Sequence, residues 1–215
     1  MGSERLKAFS DGVLAIIITI MVLELKAPHD ADFAALWPLW QTFLAYALSF
    51  TYVGIYWNNH HHLFLVAERV NGATLWANLH LLFWLSLLPF ATAWASATGF
   101  ATDPVSLYGV VLMGAASAYY ILVVALKEVQ PGESLLRRAI GDDFKGKISI
   151  VCYLGGIAGA FFNPWVGCLV YVGVAGMWLV PDRRIENRIS EHHERLEKYG
   201  RGAVRPKRRP HGQVH

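Results

Sequence analysis

Six long apolar stretches constrain this chain more than any other feature of its sequence. They lie at about 9–25, 38–66, 75–98, 105–126, 148–162 and 165–180. A helix needs about 20 apolar residues to cross the hydrocarbon of a bilayer. Only 16% of the residues are charged, compared with roughly 25% in soluble domains. The sequence therefore predicts an all-α membrane protein with six transmembrane helices. The last two stretches are short, and Pro164 should permit a tight hairpin between them.

The positions of the basic residues predict the orientation of these helices. Lys and Arg in short loops are retained on the cytoplasmic side of a membrane. If the N-terminus is cytoplasmic, six spans leave only Lys26 outside among the 19 Lys and Arg. We therefore expect both termini in the cytoplasm. A cleaved signal peptide is the alternative for residues 1–27, but Asp11 and Glu24 would bracket its apolar region.

The chain is predicted to divide into a transmembrane domain, residues 1–181, and a basic cytoplasmic tail, residues 182–215. The tail begins with apolar and histidine residues spaced by four and three, a weak coiled-coil pattern that predicts a short helix. These are Ile185, Ile189, His192, Leu196 and Tyr199. The last residues are basic and rich in Gly and Pro, which predicts a disordered end that contacts anionic lipid.

Asp11 is an unusual residue for the first apolar stretch. A carboxylate inside a transmembrane helix costs about 2.5–3.5 kcal/mol on insertion scales, so it is usually paired or faces water. The alternative is that Asp11 lies at the wet interface, where the helix dipole favours a negative charge. Six spans place several polar residues of the second and third stretches at the same depth. These are Asn58, Asn59, His60, His61, His62, Trp76, Asn78 and His80, beside Arg5 and Asp11.

This inner layer predicts a hydrogen-bonded network between helices, because buried polar groups in lipid must be satisfied. Arg5 and Asp11 are about 9 Å apart along a helix and not on one face, so Asp11 should find its partner on another helix. His60, His61 and His62 point about 100° apart and cannot all bind one metal ion. A pH-sensitive role for one of them stays open.

The other face of the first stretch forms a stripe with helical spacing. It consists of Gly12, Ile16, Thr19, Ile20 and Leu23. On a lipid-facing helix such a stripe has no functional meaning. If several copies surround an axis, it becomes apolar rings about 6 Å apart with one ring of threonine hydroxyls, and such rings could gate by dewetting.

Three segments of the sequence resemble one known family. The segment RLKAFSD resembles the signature of the first helix of the transmembrane protein 175 (TMEM175) family, which contains bacterial and lysosomal potassium channels. YWNNHHHLF and WANLHLLFWLSLLPFAT resemble that family's second and third helices. After about residue 100 the likeness is mostly one of hydropathy.

The resemblance implies a six-helix subunit of a homotetramer whose first helices line a central pore. The family's pore positions fall on Ile16, Ile20 and Leu23, and Thr19 occupies the hydroxyl position linked to selectivity. The signature residues that hold the inner helix ends together are Arg5, Phe9, Ser10 and Asp11, with His60, His61, His62 and Asn78 expected in the same network.

The sequence leaves two functions open. The first is a passive, potassium-permeable cation channel with a hydrophobic constriction, in the inner membrane of a bacterium, with lipid and its own copies as partners. The second is a proton- or metal-coupled membrane transporter that uses Asp11 and the histidines 60–62. An enzyme is disfavoured because the sequence lacks a nucleophile and base pair. No cofactor is expected besides permeant potassium, and no nucleic acid is expected as a partner.

Overall fold

The structure, a computed structural model, describes residues 3–67, 69–131 and 144–179. Every regular element in these ranges is helical. The α-helices are α1 Ser3–Leu23, α2 Trp40–Leu65, α3 Gly72–Ser86, α4 Leu88–Ala97, α5 Thr102–Val129, α6 Phe144–Ala160 and α7 Pro164–Leu179, with a 3₁₀ segment Phe33–Leu39 before α2. This confirms the all-α prediction for the described residues. The predicted cytoplasmic tail and its short helix lie outside them.

Three helical stretches are long and apolar enough to cross a membrane. They are Glu4–Leu23, Gly72–Ala97 and Thr102–Val129, and the shorter Pro164–Leu179 is also apolar. α2 has 26 residues but is not among these three stretches. The six predicted apolar stretches all fall on helices. Three of them are long and apolar enough to count as membrane spans.

The third predicted span, 75–98, lies in one candidate span, Gly72–Ala97, which is interrupted at Leu87 and so consists of two helices. Pro89 lies in the first turn of α4, and a proline has no backbone N–H and clashes with the carbonyl four residues earlier. Leu87 separates α3 from α4, and its N–H bonds to the carbonyl of Trp84 at 3.2 Å. α3 and α4 are therefore separate short helices on either side of Leu87.

α5 lies at the centre of the helix packing, in contact with α3, α4, α6 and α7. Its side chains Leu112, Leu122 and Leu126 are fully buried. Two glycines allow close approach, because a Cβ at Gly109 would overlap the Tyr171 hydroxyl and one at Gly114 would overlap the Trp84 ring. α1 packs on one side of this bundle, against α2, α3 and α4.

Hydroxyl groups tie the helices together inside the bundle. Ser49 of α2 forms hydrogen bonds with Thr92 of α4 at 2.7 Å and with Tyr108 of α5 at 2.9 Å. Tyr52 of α2 donates to the carbonyl of Tyr171 in α7 at 2.6 Å. These bonds satisfy polar groups that have no water to bond with in an apolar interior.

The helix bundle has two ends. The N-terminal end is where α1 begins, α2 ends and α3 begins. The hairpin end is where α1 ends and α2 begins.

Candidate functional site

α1 has a buried face and an exposed face. The buried side chains follow each other at intervals of three and four and face the other helices. They are Leu6, Ser10, Leu14, Ile17 and Met21. Because this face anchors α1 to the bundle, the rotation of the helix about its own axis is fixed.

The predicted stripe lies on the exposed face of α1. Ile16 is 60% exposed, Ile20 is 45% exposed and Leu23 is 72% exposed. Gly12 and Thr19 are also exposed. In a single chain this stripe is therefore uncovered. It is apolar apart from the Thr19 hydroxyl, and lipid or another protein surface must cover it.

The Thr19 hydroxyl is bonded within its own helix. Its Oγ1 donates to the carbonyl of Ala15 at 2.8 Å, which is a common arrangement for threonine in a helix. The hydroxyl hydrogen is therefore used, but an oxygen lone pair is left on the exposed side. Such an oxygen can accept a hydrogen bond or contact a cation.

Three predicted network residues meet in a buried cluster at the N-terminal end. Asn78 of α3 donates through Nδ2 to Ser10 Oγ of α1 at 3.0 Å. His60 of α2 donates through Nε2 to Asn78 Oδ1 at 2.8 Å, since an amide oxygen only accepts. Ser10 Oγ also donates to the carbonyl of Leu6 at 2.9 Å. The cluster connects α1, α2 and α3, and all three side chains are at most 2% exposed.

Asp11 has a partner on α2 that sequence reasoning did not name. Trp57 donates through its indole Nε1 to Asp11 Oδ1 at 3.1 Å. The Trp57 ring also stacks on His61, with 5.7 Å between ring centroids. Trp57 and Asp11 are both exposed in the single chain. The signal for Trp57 was its position one turn before His60, on the helix that carries the other polar residues.

The remaining predicted network residues lie outside the Ser10, His60 and Asn78 cluster. His61 stacks on Trp57, and His62 donates through Nδ1 to the carbonyl of Asn58 at 2.8 Å. Arg5 and Phe9 lie on the exposed side of α1. The described part of the chain contains no group of three His, Cys, Asp or Glu side chains that could hold a metal ion.

Comparison with known proteins identifies the family. The family model described as the endosomal/lysosomal potassium channel TMEM175 matches residues 5–89, which include every candidate site residue. A potassium channel of Chryseobacterium sp. strain P1-3 is 54% identical over 192 residues, which are 89% of this chain and all of that protein. The chain belongs to the TMEM175 family. It is an integral membrane protein of that channel family.

Other channels are similar over shorter or more distant matches. A crystal structure of a lysosomal potassium-selective channel TMEM175 homolog from Chamaesiphon minutus superposes with a TM-score of 0.67 at 26% identity, covering 83% of this chain and 96% of that one. A potassium channel of Streptomyces collinus is 40% identical over 95 residues, which are 46% of that protein. The human endosomal/lysosomal proton channel TMEM175 is 36% identical over 116 residues, only 23% of its length.

Proposed function

We propose that this TMEM175 protein is a potassium channel in which four copies of the chain surround a conducting path lined by α1. The observation that carries the proposal is the second apolar face of α1, which the fold of one chain leaves uncovered. The names of the 54% identical relative and of the superposed structure, a potassium channel and a potassium-selective channel, support the choice of ion.

In this proposal the exposed stripe forms the constriction of the path. Copies of Ile16, Ile20 and Leu23 around an axis make three apolar rings, with about 1.5 Å of rise per residue between positions. Narrow apolar rings exclude water, and an ion cannot pass a dry segment without losing its hydration. The constriction is therefore a gate that opens when the rings wet.

Thr19 supplies the polar ring between the apolar ones. Its hydroxyl hydrogen is held by the Ala15 carbonyl, so the oxygen can face the axis as a ligand for a partly dehydrated cation. One ring of hydroxyls offers fewer oxygens than stacked carbonyl rings. The resulting preference for potassium over sodium is modest.

The inner network positions α1 for this role. Ser10, His60 and Asn78 fix the first half of α1 against α2 and α3. Asp11 adds the bond from Trp57. Arg5 and Phe9 lie on the exposed side of α1, where they are available for contacts between copies at the N-terminal end.

The proposed arrangement in the membrane follows the charge pattern. Both termini face the cytoplasm of a bacterial cell, residues 1–181 form the channel domain in the inner membrane, and the basic tail 182–215 contacts anionic lipid. The distribution of Lys and Arg supports this orientation, because only Lys26 falls on the outer side.

Reconstitution tests the proposed function. Purified protein in vesicles loaded with potassium thiocyanate, whose permeant anion balances the charge moved, is diluted into low-potassium medium, and the flux is followed with a potassium-sensitive dye, with and without a pH gradient. A passive channel moves potassium down its own gradient regardless of the pH gradient. Flux that requires the pH gradient indicates the coupled transporter, and flux equal to that of empty vesicles contradicts both.

A further inference from the structure

Two connections at the hairpin end leave aromatic side chains exposed. In the 3₁₀ segment Phe33–Leu39 no residue is buried, and Trp37 is 80% exposed. In the connection between α6 and α7, Phe162 is 90% exposed. We call Phe33, Trp37, Phe161 and Phe162 the aromatic rim. Exposed large aromatic side chains in such density mark an interaction surface rather than a water-facing one.

A stack of rings holds the two connections at one level. Trp40, the first residue of α2, stacks on Trp165 near the start of α7, with ring centroids 6.3 Å apart and planes 7° from parallel. Phe100, between α4 and α5, lies 5.4 Å from the Trp165 ring. Phe100 adopts a positive φ of 61°, a backbone region unfavourable for a bulky residue. Segments far apart in sequence therefore meet at the hairpin end.

We propose that the aromatic rim lies in the interfacial layer of the bilayer, among the headgroups and ester carbonyls of zwitterionic lipid. Trp is enriched at this depth because its ring is apolar and its indole N–H can donate to a lipid carbonyl. Lipid fits better than a second copy, because two segments far apart in sequence carry the same exposed aromatic chemistry at the same end of the bundle. A contact between two copies of the chain would need aromatic side chains on only one of these segments.

The charges near the rim select neutral headgroups over anionic ones. The segment Phe33–Leu39 contains no charged residue, and Asp30 and Asp32 immediately precede it. Between α1 and α2, Lys26 is outnumbered by three carboxylates, those two and Glu24. Anionic lipid binds through clusters of Lys and Arg. The connection from α1 to α2 has no such cluster.

Depth measurements with spin labels test this assignment. Cys152 and Cys168 are replaced by alanine in the full chain, and one cysteine is introduced by Trp37→Cys, Phe33→Cys or Phe162→Cys. Each variant is labelled in vesicles of phosphatidylethanolamine and phosphatidylcholine, and its collision with oxygen and with a water-soluble nickel chelate is measured. Asp30→Cys is the matched control in the same connection. Replacing the exposed rim residues removes few contacts, and elution volume and helical content check the fold.

The rim labels are expected at one interfacial depth. They should collide with both reagents, with several-fold less nickel collision than the Asp30 label, and anionic lipid should not change the result. Nickel collision equal to that of the Asp30 label would place the rim in water. Loss of collision with both reagents would place it in a contact between copies. Either result overturns the proposal, and neither depends on whether the protein conducts ions.

Discussion

Asn78 is the residue on which the inner network depends, because it both donates to Ser10 and accepts from His60. Asn78→Leu removes both bonds and leaves the buried His60 without its amide partner. An unsatisfied buried polar group costs about 1–3 kcal/mol. We therefore expect a clear fall in the thermal unfolding temperature of the protein in detergent.

Asn58→Leu is the matched control for this change. Asn58 lies near the same end of the bundle, on α2, but its side chain is exposed. The control should unfold close to the wild-type temperature. Equal unfolding temperatures for both variants would mean that the hydrogen bonds of Asn78 contribute nothing to stability.

The level at which these polar residues meet could be predicted from the sequence, and their partners could not. Topology alone brings the end of the second helix and the start of the third beside Ser10. Which residue bonds to Asp11 depends on the rotation of α2 about its axis, and that rotation directs Trp57 toward it. The same rotation separates His61 and His62 from His60, because successive residues of a helix point about 100° apart.

At the scale of the helix, the exposed stripe of α1 predicts the effect of making it polar. Leu23→Ser and Ile20→Ser should raise the basal potassium current several-fold in planar bilayers, because a polar ring wets more readily. Val22→Ser is the control, since Val22 is exposed on the same helix but lies about 100° away from Leu23. If the current rises equally in all three variants, the basal potassium current does not depend on the side chains of the stripe.

Replacing Thr19 should change the preference for potassium over sodium without abolishing conduction. Thr19→Ala removes the oxygen ligand and should lower the preference for potassium over sodium. Thr19→Ser retains the hydroxyl and should keep most of it. Reversal potentials under mixed potassium and sodium measure both variants. Identical values for Thr19→Ala and the wild type would leave Thr19 as a helix residue bonded to Ala15.

Packing between α3 and α5 predicts a strong effect at one glycine. Gly114→Ala places a methyl group on the Trp84 ring, and overpacking of this kind costs about 1–3 kcal/mol. Gly173→Ala, where the added methyl meets open space, should be neutral or slightly stabilising. Thermal unfolding in detergent compares them. A Gly114→Ala variant as stable as Gly173→Ala would mean that Trp84 moves aside freely.

The helices themselves show what apolar runs reveal and what they hide. Hydropathy predicts where helices lie, since every apolar stretch falls on one. It hid the break at Leu87, because the run from residue 75 to 98 is apolar on both sides of Pro89. Pro89 could have predicted this break, because a proline in a helix clashes with the carbonyl four residues earlier.

For the whole molecule, composition and six apolar runs were enough to predict the fold class. They could not predict how the copies assemble, because the surface that covers the α1 stripe belongs to other copies of the chain. One chain has a core face and an uncovered apolar face on the same helix. The central claim is that potassium passes along this uncovered face.

Cysteine accessibility at Leu23 tests that claim most directly. Leu23→Cys, with Cys152 and Cys168 replaced by alanine, is recorded in a planar bilayer under a potassium gradient while a cationic thiol reagent is added on the side of the hairpin end. The claim predicts that the potassium current falls sharply and irreversibly, whereas Val22→Cys and the cysteine-free parent keep theirs. A potassium current that persists after complete labelling of Leu23→Cys, shown by mass spectrometry, would contradict it.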